Sequence, residues 1–376
     1  VREALQRCAR RSEKIALDTQ TAEKTLDTLM GAWDGEEIIV RRDQPTGATI
    51  IIAVHSTRLG PACGGTRMKT YPALEEAVLD AQRLAEGMTF KFAAAGLQRG
   101  GGKAVIAIPA GLDTAARDDL LRRYGALIHQ LGGIFACGAD VGTTAHDMDT
   151  IAETGAPYVF GRTSERGGSG DPSPATAIGV FSGIKTTCAR LFGSDALAGR
   201  TVVVQGAGKV GYSLMRLLHD EGAEVTCGDV DAAIIEQARS ELGVGVVAAD
   251  AVYDAECDIF SPCALGAILN SETIPRLRCR AVVGAANNQL ATSADAGRLR
   301  ERDILYAPDF VVNSGGAIYL IGREVLGWSE QETLDRVRNG VRDGLTQVYA
   351  LADEQGMTTG AAAEQVARQR IAGGQG

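Results

Sequence analysis

The sequence predicts an α/β protein of two domains, and three observations carry that expectation. At 376 residues the chain is longer than one ordinary hydrophobic core serves. From residue 201 onward short β-rich runs alternate with helical segments, the pattern of a parallel sheet covered on both faces. Between the halves, residues 161–174 (GRTSERGGSGDPSP) are dense in Gly, Ser and Pro, as an interdomain connection is. The expected division gives residues 1–165 to the first domain, with helices of 326–376 returning to it, and 166–325 to the second. A ligand cleft at the junction lets closure expel water.

The elements follow in order. Residues 1–30 carry charges throughout, lack the apolar core of a signal segment and read as a weakly amphipathic helix standing apart. EIIVRR (37–42) and ATIIIAVHS (48–56) are β-branched runs around a turn at 43–47, hence a hairpin or adjacent strands. Residues 73–88 repeat apolar positions at helical spacing. KAVIAIP (103–109) is a short buried strand ended by proline, and 113–131 is a helix followed by the strand-to-turn stretch GIFACGADVGTT. A helix over 175–191 leads into TVVVQ, EVTCGD, VVAAD, CDIFSPC, AVVGAAN and ILYAPDF, with helices between; after Asn313 the chain is helical to its end.

Composition excludes several functions. A net charge of −9 argues against nucleic acid or an anionic membrane surface as partner. No apolar run reaches the roughly 20 residues of a membrane span, so the cytosol is the default compartment. The eight cysteines are scattered without a C-x-x-C spacing, which implies reduced thiols, mostly in the core. The four histidines are equally dispersed, and no protein metal site is expected.

Gly206-Ala207-Gly208-Lys209-Val210-Gly211 fits G-x-G-x-x-G. A glycine-rich turn alone is common, but here TVVVQ precedes it as a strand and a helical run follows. Such glycines let the backbone approach a pyrophosphate at a helix N-terminus. Asp229 ends the next strand, 18 residues beyond Gly211, where an acidic side chain grips the adenosine ribose. The bland alternative, a turn with a surface Asp, does not explain all four features in register. A 2′-phosphate there would meet carboxylate repulsion, and Val230, Asp231 and Ala232 supply no cation, so NAD is favoured over NADP.

The segment Lys91–Lys103 (KFAAAGLQRGGGK) sets two lysines in apolar, glycine-rich surroundings. It fails as a phosphate loop because Leu97 and Ala104 stand where that motif needs a glycine and a hydroxyl. A lysine among apolar walls loses hydration, a second cation depresses its pKa further, and it can then serve as a general base. The other can hold a carboxylate. On spacing alone, two exposed lysines flanking a loop would be the better reading.

GPACGGTR (60–67), MTFKFAAAGLQRGGGKAVIAIP (88–109), ADVGTTAHDMD (139–149), GGSGDPSPATAIGV (167–180), SPCALGA (261–267), GAANNQL (284–290) and ILYAPDFVVNSGGAI (304–318) settle that choice. With them the chain closely resembles the leucine/valine/phenylalanine dehydrogenase branch of the glutamate dehydrogenase superfamily, from about Trp33 to the C-terminal helices. WDGE (33–36) and YLIGREVLGWSE (319–330) look most like bacterial phenylalanine dehydrogenases. The resemblance implies an N-terminal substrate and oligomerisation domain, a Rossmann-type NAD domain and a homo-oligomer. It implies oxidative deamination of an apolar L-amino acid to a 2-oxo acid and ammonium. Lys91 would bind the substrate carboxylate, Lys103 would be the acid/base that activates water at C2, and Asp140 would exchange protons with the amino group. Asn287 would bridge substrate and nicotinamide, with Gly64 also at the substrate. Arg67, Thr176, Cys263, Ala264, Ala286, Asn288 and Asn313 would join Gly206, Gly208, Lys209, Val210, Gly211, Asp229 and Val230 around the cofactor.

Other readings weigh less. His146 near Asp140 is more often a surface residue than a catalytic imidazole, and Arg99 is read as a surface charge. A hydroxy-acid dehydrogenase would want a His–acid pair, and a non-catalytic NAD-binding protein would not need both lysines and Asp140. Relatives that use glutamate carry a lysine where Cys63 stands, which disfavours glutamate. The family's substrate walls fall on Cys63, Gly138, Ala317 and Leu320. Branched-chain enzymes carry larger residues at the first three, so room for a ring is expected. L-Phenylalanine is therefore expected over leucine or valine, with tyrosine or tryptophan also accommodated.

Overall fold

A computed structural model of the chain describes residues 31 and 33–374, so the charged helix expected over 1–30 lies outside the described residues. The β-branched runs pair as expected: β1 (Glu37–Asp43) and β2 (Ala48–Ser56) form an antiparallel hairpin with Asp43 opposite Ala48. Asp43 closes its turn by accepting from Thr46 N and Oγ1 at 3.2 and 2.6 Å. With β3 (Ala62–Lys69), β4 (Gly100–Ala107) and β5 (Phe135–Ala139) the first sheet has the order β1-β2-β4-β3-β5. The β3–β4 and β3–β5 pairs are parallel. Every residue of β2 is buried, its apolar run Ile50–Val54 lying between helices on both faces.

Helix α1 (Leu74–Ala94) covers one face, packing Ala77, Val78, Ala81 and Ala85 on Ile51, Ala53 and Val105. α2 (Thr114–Gln130) and α3 (Ala145–Gly155) cover the other, with Leu120, Tyr124, Ile128 and Ile151 on Ile50, Ile52 and Ile106. Two boundaries differ from the expectation, for one reason. The glycines Gly100–Gly102 lie inside β4 rather than in a loop, and α1 runs on past residue 88 to carry Lys91. A Cβ on Gly101 would stand 2.1 Å from Thr89 N, so only glycine lets α1 lie directly on β4. Alternation along β4 then puts Lys103 on the α1 side with Val105, facing Lys91.

The second sheet is wholly parallel. β6 (Thr201–Gln205), β7 (Glu224–Gly228), β8 (Gly245–Val246), β9 (Ile259–Pro262), β10 (Ala281–Val282) and β11 (Leu305–Tyr306) take the order β11-β10-β9-β6-β7-β8. Helices α4 (Ser173–Phe192), α5 (Lys209–Asp220), α6 (Ala232–Leu242) and α7 (Ala294–Glu301) alternate with these strands. Lys103 thus lies on one sheet, while Gly208 follows the end of β6 in the other. Short α8 (Asp309–Val312) and α9 (Gly315–Glu324) lead into α10 (Glu330–Gln355) and α11 (Thr359–Gly373). α10 sets Val341, Leu345 and Val348 against Ile184 and Cys188 of α4. α11 lies on α1, where Arg370 Nη1 donates to Ala93 O and Ala94 O at 2.9 and 2.7 Å, satisfying carbonyls at that helix end.

No helix among the described residues is long and apolar enough to cross a membrane. The seven described cysteines are all free, and six are buried.

Candidate active site

Two lysines, a carboxylate and two asparagines meet where the sheets face each other. Lys103 is 4% exposed, and its Nζ stands 3.1 Å from Asp140 Oδ1. Asp140 follows β5 in a turn held by Thr143, whose hydroxyl accepts from Asp140 N at 2.9 Å and donates to Thr66 O at 2.7 Å. Across the cleft, Lys91 Nζ donates to Asn287 Oδ1 at 3.2 Å, and Asn313 Nδ2 donates to the same oxygen at 2.8 Å. Burial pushes Lys91 down to about 8, against the opposing pull of Asp309. Burial also lowers Lys103, against the pull of Asp140. Burial would raise Asp140, but Lys103 and Arg67 outweigh it and hold it below the usual carboxylate range.

The four expected substrate walls do not all open on the cleft. Cys63 is fully buried, its thiol 3.9 Å from Pro61 O and pushed up to about 12 by burial. A Cβ on Gly64 would stand 1.8 Å from Gly102 O, so this glycine keeps β3 tight on β4. A Cβ on Gly138 would stand 2.3 Å from Phe160 Cε2, so the space freed by that glycine is filled by the protein's own ring. Ala317 and Leu320, on α9, are only partly buried and pack in the same apolar cluster as Phe160 and Cys63.

The glycine turn fits a dinucleotide. Gly206 adopts φ +94°, and a Cβ there would stand 2.8 Å from that of Ala264, which is exposed beside it. A Cβ on Gly211 would stand 1.9 Å from Gly206 O, whereas one on Gly208 would meet nothing within 4 Å, leaving that side free for a pyrophosphate. Asp229 accepts from Ala207 N at 2.7 Å and Asp231 N at 3.0 Å, which fixes its carboxylate against the turn. Val210 opens α5 beside it, Val230 is 93% exposed, and Cys263 is half-buried at the end of β9. Ala286 is buried, while Asn288 is exposed. Asn313 is buried with Oδ1 unpartnered among the described residues, an acceptor suited to a carboxamide N–H. Thr176 Oγ1 donates to Pro172 O at 3.2 Å, and a Cβ on Gly316 would stand 2.5 Å from it.

Two expected cofactor contacts are otherwise engaged. Lys209 is exposed and paired with Asp171 at 2.9 Å. Arg67 lies on β3, where Nε donates to Asp140 Oδ2 at 2.8 Å and Nη1 to Asp80 Oδ2 at 2.9 Å. The structure also brings in residues that motif spacing does not single out. Asp80 and Tyr71 stand behind Arg67, Asp309 acts on Lys91, and Phe160 covers Gly138. Glu324 accepts from Gly161 N, Ser169 N and Ser169 Oγ at 2.9, 2.9 and 2.6 Å, tying the connector to α9. Away from the cleft, one ligand atom each of Asp34, His55 and Glu86 lie within 4.8 Å of one another, a grouping not foreseen from the dispersed histidines.

A parallel sheet with a glycine-rich β6–α5 turn, facing a cleft with two depressed lysines and a carboxylate, defines a dinucleotide-dependent dehydrogenase with NAD as cofactor. The chain belongs to the Glu/Leu/Phe/Val dehydrogenase family. The dimerisation-domain model of that family matches residues 37–156, and its Glutamate/Leucine/Phenylalanine/Valine dehydrogenase model matches 167–243 and 237–375. It is 44% identical to a leucine dehydrogenase of Thermoactinomyces intermedius, over 91% of this chain and 92% of that protein. It is 41% identical to a phenylalanine dehydrogenase of Bacillus thermotolerans, over 89% and 88% of the two chains. The crystal structure of L-tryptophan dehydrogenase from Nostoc punctiforme superimposes with a TM-score of 0.81 at 38% identity, covering 95% of this chain and 99% of that one.

Proposed function

We propose that this member of the family catalyses the NAD-dependent, reversible oxidative deamination of an apolar L-amino acid to its 2-oxo acid and ammonium. The observation that carries the reading is the Lys103–Asp140 pair, 3.1 Å apart, with Lys91 opposite on Asn287. Residues 1–165, with the helices of 326–376 returning to them, would present substrate and 166–325 the cofactor. Lys91 holds the substrate carboxylate, which takes the place of Asn287 on its ammonium group. Bound NAD supplies the hydride acceptor for Cα. Lys103, dry and depressed, takes the proton from water adding at C2, and Asp140 exchanges protons with the departing amino group. Asn287 and Asn313 orient substrate and carboxamide from the second domain.

L-Phenylalanine is the first side-chain reading, on the small Ala317 and on relatives named phenylalanine and tryptophan dehydrogenase. Leucine is the second, favoured by Phe160 filling the space beside Gly138 and by relatives named leucine dehydrogenase. NAD reduction with a panel of phenylalanine, tryptophan, leucine, valine and glutamate tests both. An apolar amino acid should lead glutamate by at least tenfold in kcat/KM; no NAD reduction with any of the five removes the proposal. The protein is further proposed to be a cytosolic homo-oligomer joined through the first domain, whose matching model is described as a dimerisation domain.

The depressed Lys91 gives a pH signature. Its cation is present below about 8 and lost as pH rises through that value, so the carboxylate loses its partner on the alkaline side. KM for the amino acid should rise above pH 8, approaching tenfold per unit, while Lys103 gains base character in the same direction. A KM flat from pH 7 to 10 removes Lys91 from the carboxylate.

A further inference from the structure

A Lys–Asp pair shielded from water can collapse to two neutral groups, because burial penalises both charges. In this chain a third charge stands against that collapse. Arg67 on β3 donates through Nε to Asp140 Oδ2 at 2.8 Å, while Lys103 on β4 stands 3.1 Å from Oδ1. The two cations therefore divide the carboxylate between them, one oxygen each.

Arg67 is itself fixed from behind. Nη1 donates to Asp80 Oδ2 at 2.9 Å, and Asp80 also accepts from Tyr71 Oη at 2.8 Å and Arg83 Nη2 at 2.9 Å. Arg67 and Asp80 have side chains 18% and 13% exposed, so water screens this contact poorly. A guanidinium does not surrender its proton, whereas Lys103 must do so to act as a base. When Lys103 is neutral, Arg67 is the cation that remains bonded to Asp140. The charged and titratable groups of this network are Lys103 of β4, Arg67 of β3, Asp80, Arg83 and Lys91 of α1, Tyr71 before that helix, and Asp309 of α8 on the Lys91 side.

We propose that Arg67, oriented by Asp80, is a positioning residue that keeps Asp140 an anion and confines its proton exchange to Oδ1. The proposal rests on the assignment of Asp140 to the amino-group proton. Arg67 then serves the proton chemistry of the first domain rather than the cofactor.

The test is the pH profile of kcat/KM and the NAD affinity of Arg67→Met, Arg67→Lys, Asp80→Asn and Asp140→Asn. In Arg67→Met the acid limb should move up by about one pH unit or more, with activity recovering toward alkaline pH and NAD affinity within about twofold of wild type. Arg67→Lys, which keeps a cation, should restore part of the shift. Asp80→Asn leaves the guanidinium in place but unfixed, and should shift the limb by less; it carries the test if Arg67→Met does not fold. A uniform loss with an unmoved acid limb, or a tenfold loss of NAD affinity in Arg67→Met, overturns the proposal. Full turnover in Asp140→Asn overturns the assignment of Asp140 itself, and the proposal with it, by a separate reading.

Discussion

Replacing Lys103 with alanine is expected to lower turnover by about 10²–10⁴-fold while leaving NAD affinity within about twofold. The loss is large because, in the proposed mechanism, the amine is the base beside the reacting carbon, and because little can replace it. Lys103 is 4% exposed, so bulk water does not reach its place freely. Lys91 is held on the opposite side by Asn287 at 3.2 Å. NAD affinity is spared because the glycine turn and Asp229 belong to the other sheet. Folding should also survive, since Asp140 keeps Arg67 at 2.8 Å and is not left as an unpaired buried charge. Single-turnover NAD reduction and a fluorescence titration of NAD measure the two halves. A variant that retains more than a tenth of wild-type turnover removes Lys103 from the base role.

How much of this was legible in the sequence depended on whether chemistry or packing chose the residue. The β6–α5 turn was legible because a pyrophosphate needs glycines at fixed offsets and an acid at the next strand end, a local pattern. The pairing of Lys91 with Lys103 was legible only through family resemblance. Their meeting depends on a helix lying flat on Gly100–Gly102, a three-dimensional use of glycine that reads in sequence as a loop. The partners of Arg67 were not legible, because Asp80 sits in a run of ordinary helix charges with nothing local to mark it as a partner. Glu324 had no signal either, since its donors at Gly161 and Ser169 are main-chain groups in a distant connector. Smallness in the sequence is likewise not the same as room in the fold. Gly138 is small in the sequence, but its space is not empty in the fold.

That last contact sets the second large effect: Phe160→Ala should raise kcat/KM for tryptophan or phenylalanine relative to leucine by at least about tenfold, on the order of 1.4 kcal/mol. The ring lies against Gly138 so closely that a Cβ there would meet Cε2, Cδ2 and Cζ at 2.3, 2.8 and 2.9 Å. It packs in one cluster with Cys63, Ala136, Ile318, Ala317 and Leu320, which includes every other residue expected to wall the substrate. Removing it vacates the volume of an aromatic side chain beside Gly138, which stands two residues before Asp140. An empty cavity of that size costs about 3–5 kcal/mol of stability, so Tm should fall in the free variant. A large apolar ligand that fills the cavity should recover part of the loss, and a small one should not. Gly138→Ala is the reciprocal change: the new methyl must push the ring away from the strand and into the pocket, so it should penalise aromatic substrates more than leucine. Both variants are compared by kcat/KM on leucine, phenylalanine and tryptophan, with Tm read in the presence of each. Unchanged ratios in both would mean that Phe160 is core and not wall, leaving side-chain choice to Ala317 and Leu320 on α9.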